Sequence, residues 1–204
     1  MSEIIIATEN QGKIAEFEAM LSPTWEVKSL YDYPTCPSII EDGATFHENA
    51  AKKSETLSRF LGKTVIADDS GLMIDALDGA PGVYSARYAG ESRSDEENIK
   101  KVLSELAEMA PSQRTARFYC VIAISEPGSK PRFVEGTCEG SIAIEPSGTH
   151  GFGYDPIFFV PAYGKTMAQL SPEVKNKISH RAKALAVLKQ VIGGTKNESI
   201  DCQR

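Results

Sequence analysis

Two adjacent carboxylates, Asp68 and Asp69, directly follow a short apolar run at residues 65–67. The run predicts a buried strand, and Ser70-Gly71 is typical of a turn that ends one. Successive side chains of an extended segment point to opposite sides, so the two carboxylates should have different surroundings and different roles. Carboxylates can bind a hard metal ion and take a proton from an attacking water. A solvated turn explains the pair equally well.

A polar loop near the N-terminus has the composition of an anion-binding site. Thr8-Glu9-Asn10-Gln11-Gly12-Lys13 lies between a predicted strand at residues 3–7 and a predicted helix that begins near Ile14. This order presents backbone N–H groups and the positive end of a helix dipole to an anion, and Lys13 adds a charge. The loop has one glycine and is not a Walker A motif, so a plain strand-to-helix turn is the alternative.

A lysine lies on the apolar face of a second predicted helix. Thr45 and Glu48 have the spacing of a capping box, which predicts that this helix starts here. Its apolar face carries Phe46, Ala50 and Leu57. Lys53 falls on the same face, where an ammonium group needs either a nearby anion or a route to water. The sequence therefore leaves open whether Lys53 faces a cleft or extends to solvent.

A glycine-rich loop at residues 148–156 contains two aromatic side chains, Phe152 and Tyr154. Glycines let a backbone approach a ligand closely, and aromatic rings offer flat faces on which a nucleobase can stack. A wide connecting loop is the alternative interpretation.

The last predicted helix begins with positive charge. Ser179 is a typical N-cap, and His180 and Arg181 occupy the first turn. Cations there oppose the helix dipole, and such local conflicts often mark functional sites. An anionic or carbonyl-bearing ligand would resolve the conflict.

The order of the predicted elements indicates a mixed-sheet α/β protein. Strands and helices alternate first, and two β-rich runs at 117–125 and 132–145 then form a predicted hairpin. A capping pattern at Ser94 predicts a further helix that shows no evident chemistry. We expect one domain over residues 1–194 and a polar tail over residues 195–204.

Composition restricts the partners of the chain. Its 204 residues carry a formal net charge of −6, which argues against non-specific binding to nucleic acid or to an anionic membrane. No apolar stretch approaches the roughly 20 residues of a membrane span. The four cysteines form no C-x-x-C pair and suit free thiols. With no signal-peptide pattern at the N-terminus, a cytoplasmic location is expected.

Six segments, taken in order, resemble the inosine triphosphate pyrophosphatase family, whose members cleave dITP and XTP in nucleotide-pool house-cleaning. The likeness covers about residues 3–192. The segments are Thr8-Glu9-Asn10-Gln11-Gly12-Lys13, Thr45-Phe46-His47-Glu48-Asn49-Ala50, Ala67-Asp68-Asp69-Ser70-Gly71-Leu72, Pro81-Gly82-Val83-Tyr84-Ser85-Ala86-Arg87-Tyr88, Gly151-Phe152-Gly153-Tyr154-Asp155-Pro156 and Ser179-His180-Arg181.

The resemblance implies Mg²⁺-dependent hydrolysis of ITP, dITP or XTP to the monophosphate and pyrophosphate. It implies that Glu41 and Asp69 bind the metal, that Asp69 accepts the proton of the attacking water, and that Asp68 supports this centre. The residues implied to bind the triphosphate are Thr8, Glu9, Asn10, Gln11, Gly12, Lys13, Lys53 and Lys175. The residues implied around the purine are Phe152, Gly153, Tyr154, Asp155, His180 and Arg181, and Ser70 is a further substrate-binding candidate.

The resemblance also implies an elongated mixed sheet, two lobes around a central nucleotide cleft, and a homodimer. Hydrogen-bond donors aimed at the 6-keto oxygen would be left unpaired by the 6-amino group of adenine, which gives the site a physical basis for selectivity. Two alternatives remain at this point: a pyrophosphatase for modified pyrimidine or standard nucleotides, and a nucleotide-binding protein without turnover.

Overall fold

The computed structural model describes residues 2–194, so the tail predicted at 195–204 lies outside the described residues. Over this range the chain forms seven strands and five α-helices. The strands are β1 (Ser2–Ile6), β2 (Trp25–Lys28), β3 (Val65–Ile74), β4 (Thr115–Ser125), β5 (Arg132–Ile142), β6 (Phe158–Val160) and β7 (Lys165–Thr166). The helices are α1 (Gln11–Leu21), α2 (Phe46–Leu61), α3 (Asp95–Glu105), α4 (Pro172–Ile178) and α5 (His180–Gly194).

All seven strands form one mixed sheet in the order β2-β1-β3-β4-β5-β6-β7. β1 pairs in parallel with β2 and β3, and every later pairing is antiparallel. β3 and β4 are paired along their length, from Val65 opposite Ser125 to Ile74 opposite Ala116. This arrangement confirms the mixed-sheet α/β architecture and the predicted hairpin, although β5 ends at Ile142 and not at residue 145.

The prediction that Ser70-Gly71 ends the central strand is wrong, because β3 continues to Ile74. Gly71 is needed there for a different reason. A Cβ on Gly71 would lie 2.5 Å from Oγ of Ser85 and would also meet the carbonyl oxygen of Gly82. The 3₁₀ segment Gly82–Arg87 can therefore approach β3 closely, and Ser85 Oγ accepts a hydrogen bond from Leu72 N at 2.9 Å.

Two apolar cores lie along one face of the sheet. In the first core, Ile66 of β3 packs with Phe17 of α1 and Leu185 of α5. In the second core, Leu72 of β3 packs with Phe158 of β6 and with the buried side of α3. The same strand thus contributes to both cores, which lie towards its opposite ends.

Polar side chains separate the two cores on β3. Asp68 and Ser70 lie between Ile66 and Leu72 on the same face, because residues two apart on a strand share a face. A cleft of about 800 Å³ opens in this region and is lined by residues from both ends of the chain. The apolar part of its wall comes from the second core, at Leu72 and Phe118, and from the α2 side of the sheet, at Ala7 and Leu57. A mixed sheet with a central cleft agrees with the two-lobed architecture that the resemblance implies.

The predicted helix starts are confirmed with one change. Thr45 Oγ1 accepts a hydrogen bond from Glu48 N at 3.1 Å, but the Glu48 carboxylate accepts from Ala44 N, so only half of the capping box forms. Ser179 Oγ caps α5 by accepting from Ala182 N at 3.2 Å. Within residues 2–194 no helix is long and apolar enough to span a membrane.

Candidate active site

The cleft brings together nearly all of the residues that the sequence indicated. Of the candidates, only Gln11, Gly12 and Asp68 do not line it. The candidates that do are Thr8, Glu9, Asn10, Lys13, Glu41, Lys53, Asp69, Ser70, Phe152, Gly153, Tyr154, Asp155, Lys175, His180 and Arg181. Asn10 caps α1 by accepting from Lys13 N at 3.0 Å, so the N-terminus of this helix lies at the cleft.

Asp68 is buried beside two cations, Lys13 and Arg181, on the face of β3 that packs against α1 and α5. All of its described side-chain contacts are at Oδ2, and Oδ1 has no hydrogen-bond partner among the described residues. Its Oδ2 lies 3.0 Å from Lys13 Nζ and accepts from Arg181 Nη2 at 2.9 Å. Ser70 Oγ also donates to it, at 3.2 Å. Burial would raise the pKa of this carboxyl, but Lys13 and Arg181 outweigh burial and hold the pKa far below its usual range. Asp68 is therefore a permanent anion that orders cations, and it is poorly suited to accept a proton.

Asp69 faces α2 on the other side of the strand, as the alternation predicts. Its Oδ2 accepts from Asn49 Nδ2 at 3.1 Å, and its Oδ1 lies 3.8 Å from Lys53 Nζ. Burial raises the pKa of Asp69, the Glu41 carboxylate adds to the rise, and Lys53 and Lys13 oppose it. A carboxylate with a raised pKa is a better proton acceptor than Asp68, whose pKa Lys13 and Arg181 lower.

Lys53 connects the candidate metal ligands, which answers the question that the sequence left open. The buried ammonium group donates to Glu41 Oε2 at 2.7 Å and to the main-chain oxygen of Asp68 at 2.8 Å. Burial alone would lower its pKa, but Asp69 and Glu41 raise the pKa above the ordinary value. Lys53 therefore faces the cleft as a cation and draws the Glu41 and Asp69 carboxylates towards one point.

Glu16 links two cations of the site and was missed by the sequence analysis. Its carboxylate lies 2.8 Å from Lys175 Nζ and forms an ion pair with the Arg181 guanidinium. Burial would raise the pKa of Glu16, but Arg181 and Lys175 together lower it. The one available signal was its position three residues after Lys13, which puts both side chains on one face of α1.

The aromatic loop covers these cations. The Phe152 ring lies 4.7 Å from Lys175 Nζ and 5.9 Å from Arg181 Cζ, within the range of cation–π attraction. Asp155 forms an ion pair with Lys175 and accepts from Phe152 N at 3.0 Å. A Cβ on Gly12 would lie 2.6 Å from the Phe152 ring, so only a glycine lets the loop rest on α1.

Lys175 is held beside the aromatic loop. Its ammonium group contacts Glu16, Asp155 and the Phe152 ring. The role in binding the triphosphate that the resemblance implies for Lys175 stays a prediction.

His180 is buried beside the same loop. Its ring stacks on Phe118 with centroids 4.8 Å apart, and within the described residues its Nδ1 has no hydrogen-bond partner. Burial, reinforced by Arg181 and Lys175, lowers its pKa well below the ordinary value, so the ring is neutral. A neutral imidazole with one unpartnered nitrogen can hydrogen-bond a ligand that enters the cleft.

Two more positioning residues were missed. Asn49 holds Asp69 with its amide nitrogen and accepts from Gly43 N with its amide oxygen at 2.8 Å. Its spacing of one turn before Lys53 on α2 was a usable signal. Arg87, which lies in one of the six resembling segments but had no assigned role, donates to the main-chain oxygen of Glu41 at 3.0 Å.

The residues present fit a magnesium ion that enters together with a phosphorylated ligand. Across the described residues, no three His, Cys, Asp or Glu side chains are close enough to hold a metal ion by themselves. Glu41 and Asp69 nevertheless converge on Lys53, and Mg²⁺ is usually bound through one or two carboxylates plus substrate phosphates. Among the described residues that line the cleft, six cations face seven carboxylates. A polyphosphate would therefore need added positive charge.

Comparisons with known proteins identify the family. A model of the Ham1 family matches residues 4–191. The chain is 62% identical to a dITP/XTP pyrophosphatase of Shouchella clausii over 194 residues, which cover 95% of this chain and 98% of the relative. It is 55% identical to the dITP/XTP pyrophosphatase of Bacillus subtilis over 193 residues, which cover 94% and 98% of the two chains.

Solved structures give the same result. The chain superimposes on the Staphylococcus aureus Ham1 protein with a TM-score of 0.85 and 48% identity, covering 95% of this chain and 100% of the other. For a HAM1 protein from Coxiella burnetii the TM-score is 0.86 and the identity 44%, with the same coverage.

We predict that Glu16→Gln lowers the free energy of unfolding at pH 7 by on the order of 3 kcal/mol, because two buried cations lose a shared counter-ion. Folding lowers the pKa of Glu16 from its ordinary value of 4.5. Its contribution to stability is therefore fully present above that value and is lost progressively as the pH falls from there through the lowered pKa of the folded state. Urea unfolding at pH 7 and pH 4 measures this difference, which should shrink at pH 4.

The matched control is Glu18→Gln, which removes an exposed carboxylate from the same helix. Equal stability losses in the two variants, or a Glu16→Gln loss that does not change with pH, would contradict the ion-pair assignment.

Proposed function

The chain belongs to the Ham1 family, and on that premise we propose that it hydrolyses the non-standard purine nucleoside triphosphates ITP, dITP and XTP to the monophosphate and pyrophosphate. Its relatives in Shouchella clausii and Bacillus subtilis are dITP/XTP pyrophosphatases, which supports this activity. The structural observation that carries the proposal is a cleft with two chemically different ends. One end holds the Glu41, Asp69 and Lys53 cluster, and the other holds the aromatic loop with His180.

At the acidic end, Asp69 accepts the proton of the water that attacks the triphosphate. Asp69 lines the cleft, and a carboxylate within reach of an attacking water can take its proton. Asn49 fixes one carboxylate oxygen, which leaves Oδ1 turned towards Lys53. Lys53 and Lys13 then balance charge on the phosphates, as the resemblance implies.

The proposed cofactor is Mg²⁺, held by Glu41 and Asp69. When bound, it would neutralise phosphate charge and polarise the phosphoryl group that is attacked. Arg87 supports Glu41 through its main-chain oxygen, and Lys53 orients both carboxylates. Asp68 stabilises Lys13 and Arg181 in place and takes no part in proton transfer.

At the other end, Phe152 and His180 receive the purine. His180 Nδ1 is a buried polar atom without a described partner, and pairing it with a purine atom would remove the cost of leaving it unsatisfied. A site built to hydrogen-bond a 6-keto oxygen rejects a 6-amino group strongly, because its buried donors would then remain unpaired. We propose that this mismatch excludes ATP.

The proposal includes a homodimer, which the resemblance implies, and a cytoplasmic location, which the sequence indicates. The three described cysteines, Cys36, Cys120 and Cys138, carry free thiols, which suits a reducing compartment. Light scattering on the purified protein should give about twice the 22.1 kDa mass of one chain. A mass near 22.1 kDa at micromolar concentration would contradict the dimer.

Product analysis tests the reaction itself. With Mg²⁺, we expect ITP, dITP and XTP to yield the monophosphate and pyrophosphate at least tenfold faster than ATP and GTP. EDTA should abolish the reaction, and added Mg²⁺ should restore it. Release of orthophosphate in place of pyrophosphate would overturn the reaction type, and faster cleavage of ATP, GTP or a pyrimidine nucleotide would overturn the substrate class.

Asp69→Asn tests the proton acceptor. We expect kcat for ITP to fall by a factor of roughly 10²–10⁴, the usual contribution of a general base, while the melting temperature changes little. The matched control is Asp42→Asn, which removes an exposed carboxylate beside Glu41. Near-wild-type kcat in Asp69→Asn, or an equal loss in Asp42→Asn, would contradict the assignment.

A further inference from the structure

The first residue of α3 holds the backbone of the aromatic loop. Gly153 N donates to Asp95 Oδ2 at 2.7 Å, across 58 residues of chain. Both residues line the cleft. A hydrogen bond to an ionised carboxylate is among the stronger ones in proteins. The sequence had assigned no chemistry to this helix.

Two carboxylates thus accept hydrogen bonds from successive backbone N–H groups, those of Phe152 and of the residue after it. Asp155, within the loop, accepts from Phe152 N, and Asp95, from outside it, accepts from Gly153 N. Gly153 has a φ of 61°, which glycine adopts at little cost. Glycine leaves the backbone next to Phe152 flexible. The hydrogen bond from Gly153 N to Asp95 restricts this backbone and, through it, the position of the Phe152 ring.

α3 is a firm support for this hydrogen bond. Ile99 and Val102 are buried in the second core. Asn98 is also buried, accepts from Ala89 N at 2.7 Å and donates to Ala86 O at 3.3 Å. The helix start therefore has a fixed position relative to the wall of the cleft.

We propose that Asp95 is a positioning residue for purine recognition: it fixes the Gly153 backbone and thereby the ring of Phe152. This inference rests on the proposed function, in which Phe152 receives the purine. Asp95 affects binding of the purine base and not of the phosphates, because its hydrogen bond is to the aromatic loop. Its loss should weaken nucleotide binding and leave the acidic end of the cleft unchanged.

A simpler role for Asp95 is to stabilise the N-terminus of α3 through the helix dipole. Glu96 lies in the same first turn and interacts with the dipole in the same way. Its carboxylate pairs only with the exposed Lys100, at 2.7 Å, among the described contacts. Glu96→Ala is therefore a matched control that removes the dipole effect without changing the loop.

The test compares Asp95→Ala, Asp95→Asn and Glu96→Ala in the full-length protein with saturating Mg²⁺. We measure kcat and KM for ITP, the inhibition constant of inorganic tripolyphosphate, and the melting temperature. Tripolyphosphate has the phosphates but no base. Asp95→Ala should raise KM roughly tenfold, the equivalent of one lost hydrogen bond, with kcat and the tripolyphosphate constant within about twofold of wild type. Asp95→Asn keeps an acceptor oxygen and should largely preserve KM, as should Glu96→Ala.

An unchanged KM in Asp95→Ala overturns the inference. A parallel rise in the tripolyphosphate constant also overturns it, because that result indicates general damage to the cleft. So does an equal KM increase in Glu96→Ala, which would assign the effect to the helix dipole. If the wild-type protein itself fails to cleave ITP, the proposed function fails independently of Asp95.

Discussion

Arg181 is a fully buried cation, and much of the molecule depends on how its charge is balanced. An unpaired guanidinium in this position would be very costly, and the protein satisfies it with Asp68 from the central strand and Glu16 from α1. The resulting ion pairs connect the N-terminal helix, the middle of β3 and the C-terminal helix. Of the two basic residues at the start of α5, His180 is neutral, and the positive charge of Arg181 is tolerated against the helix dipole because these two carboxylates pair with it.

The same constraint gives the two adjacent aspartates of β3, Asp68 and Asp69, different roles. On one face of β3, the Asp68 carboxylate has two cationic partners at one oxygen and keeps its charge. On the other face, the Asp69 carboxylate has one amide partner and a more distant ammonium group. Adjacent positions in a strand have different environments at no extra cost, because the alternation of the strand separates them. A proton acceptor and a fixed counter-ion can thus be neighbours in sequence without sharing an environment.

Much of this could be predicted from the sequence, for reasons that individual residues make clear. Strand alternation separated Asp68 from Asp69, helical periodicity put Lys53 on an inward face, and local capping located the start of α5. These signals act over a few residues. The strand end at Ser70-Gly71 was predicted wrongly, because Gly71 serves a close approach by a segment more than ten residues away. Glu16 was missed for the same reason, since its partners lie at the other end of the chain.

Asp68 and Ser70 separate the two apolar cores on β3, and this arrangement affects how cooperatively the protein unfolds. β3 and β4 run without a break from one core to the other, so neither lobe has a sheet of its own. Loss of packing in one core would remove pairing partners from strands that the other core needs. The two lobes are therefore joined as one cooperative unit, and any change in the width of the cleft must be absorbed by bending of continuous strands.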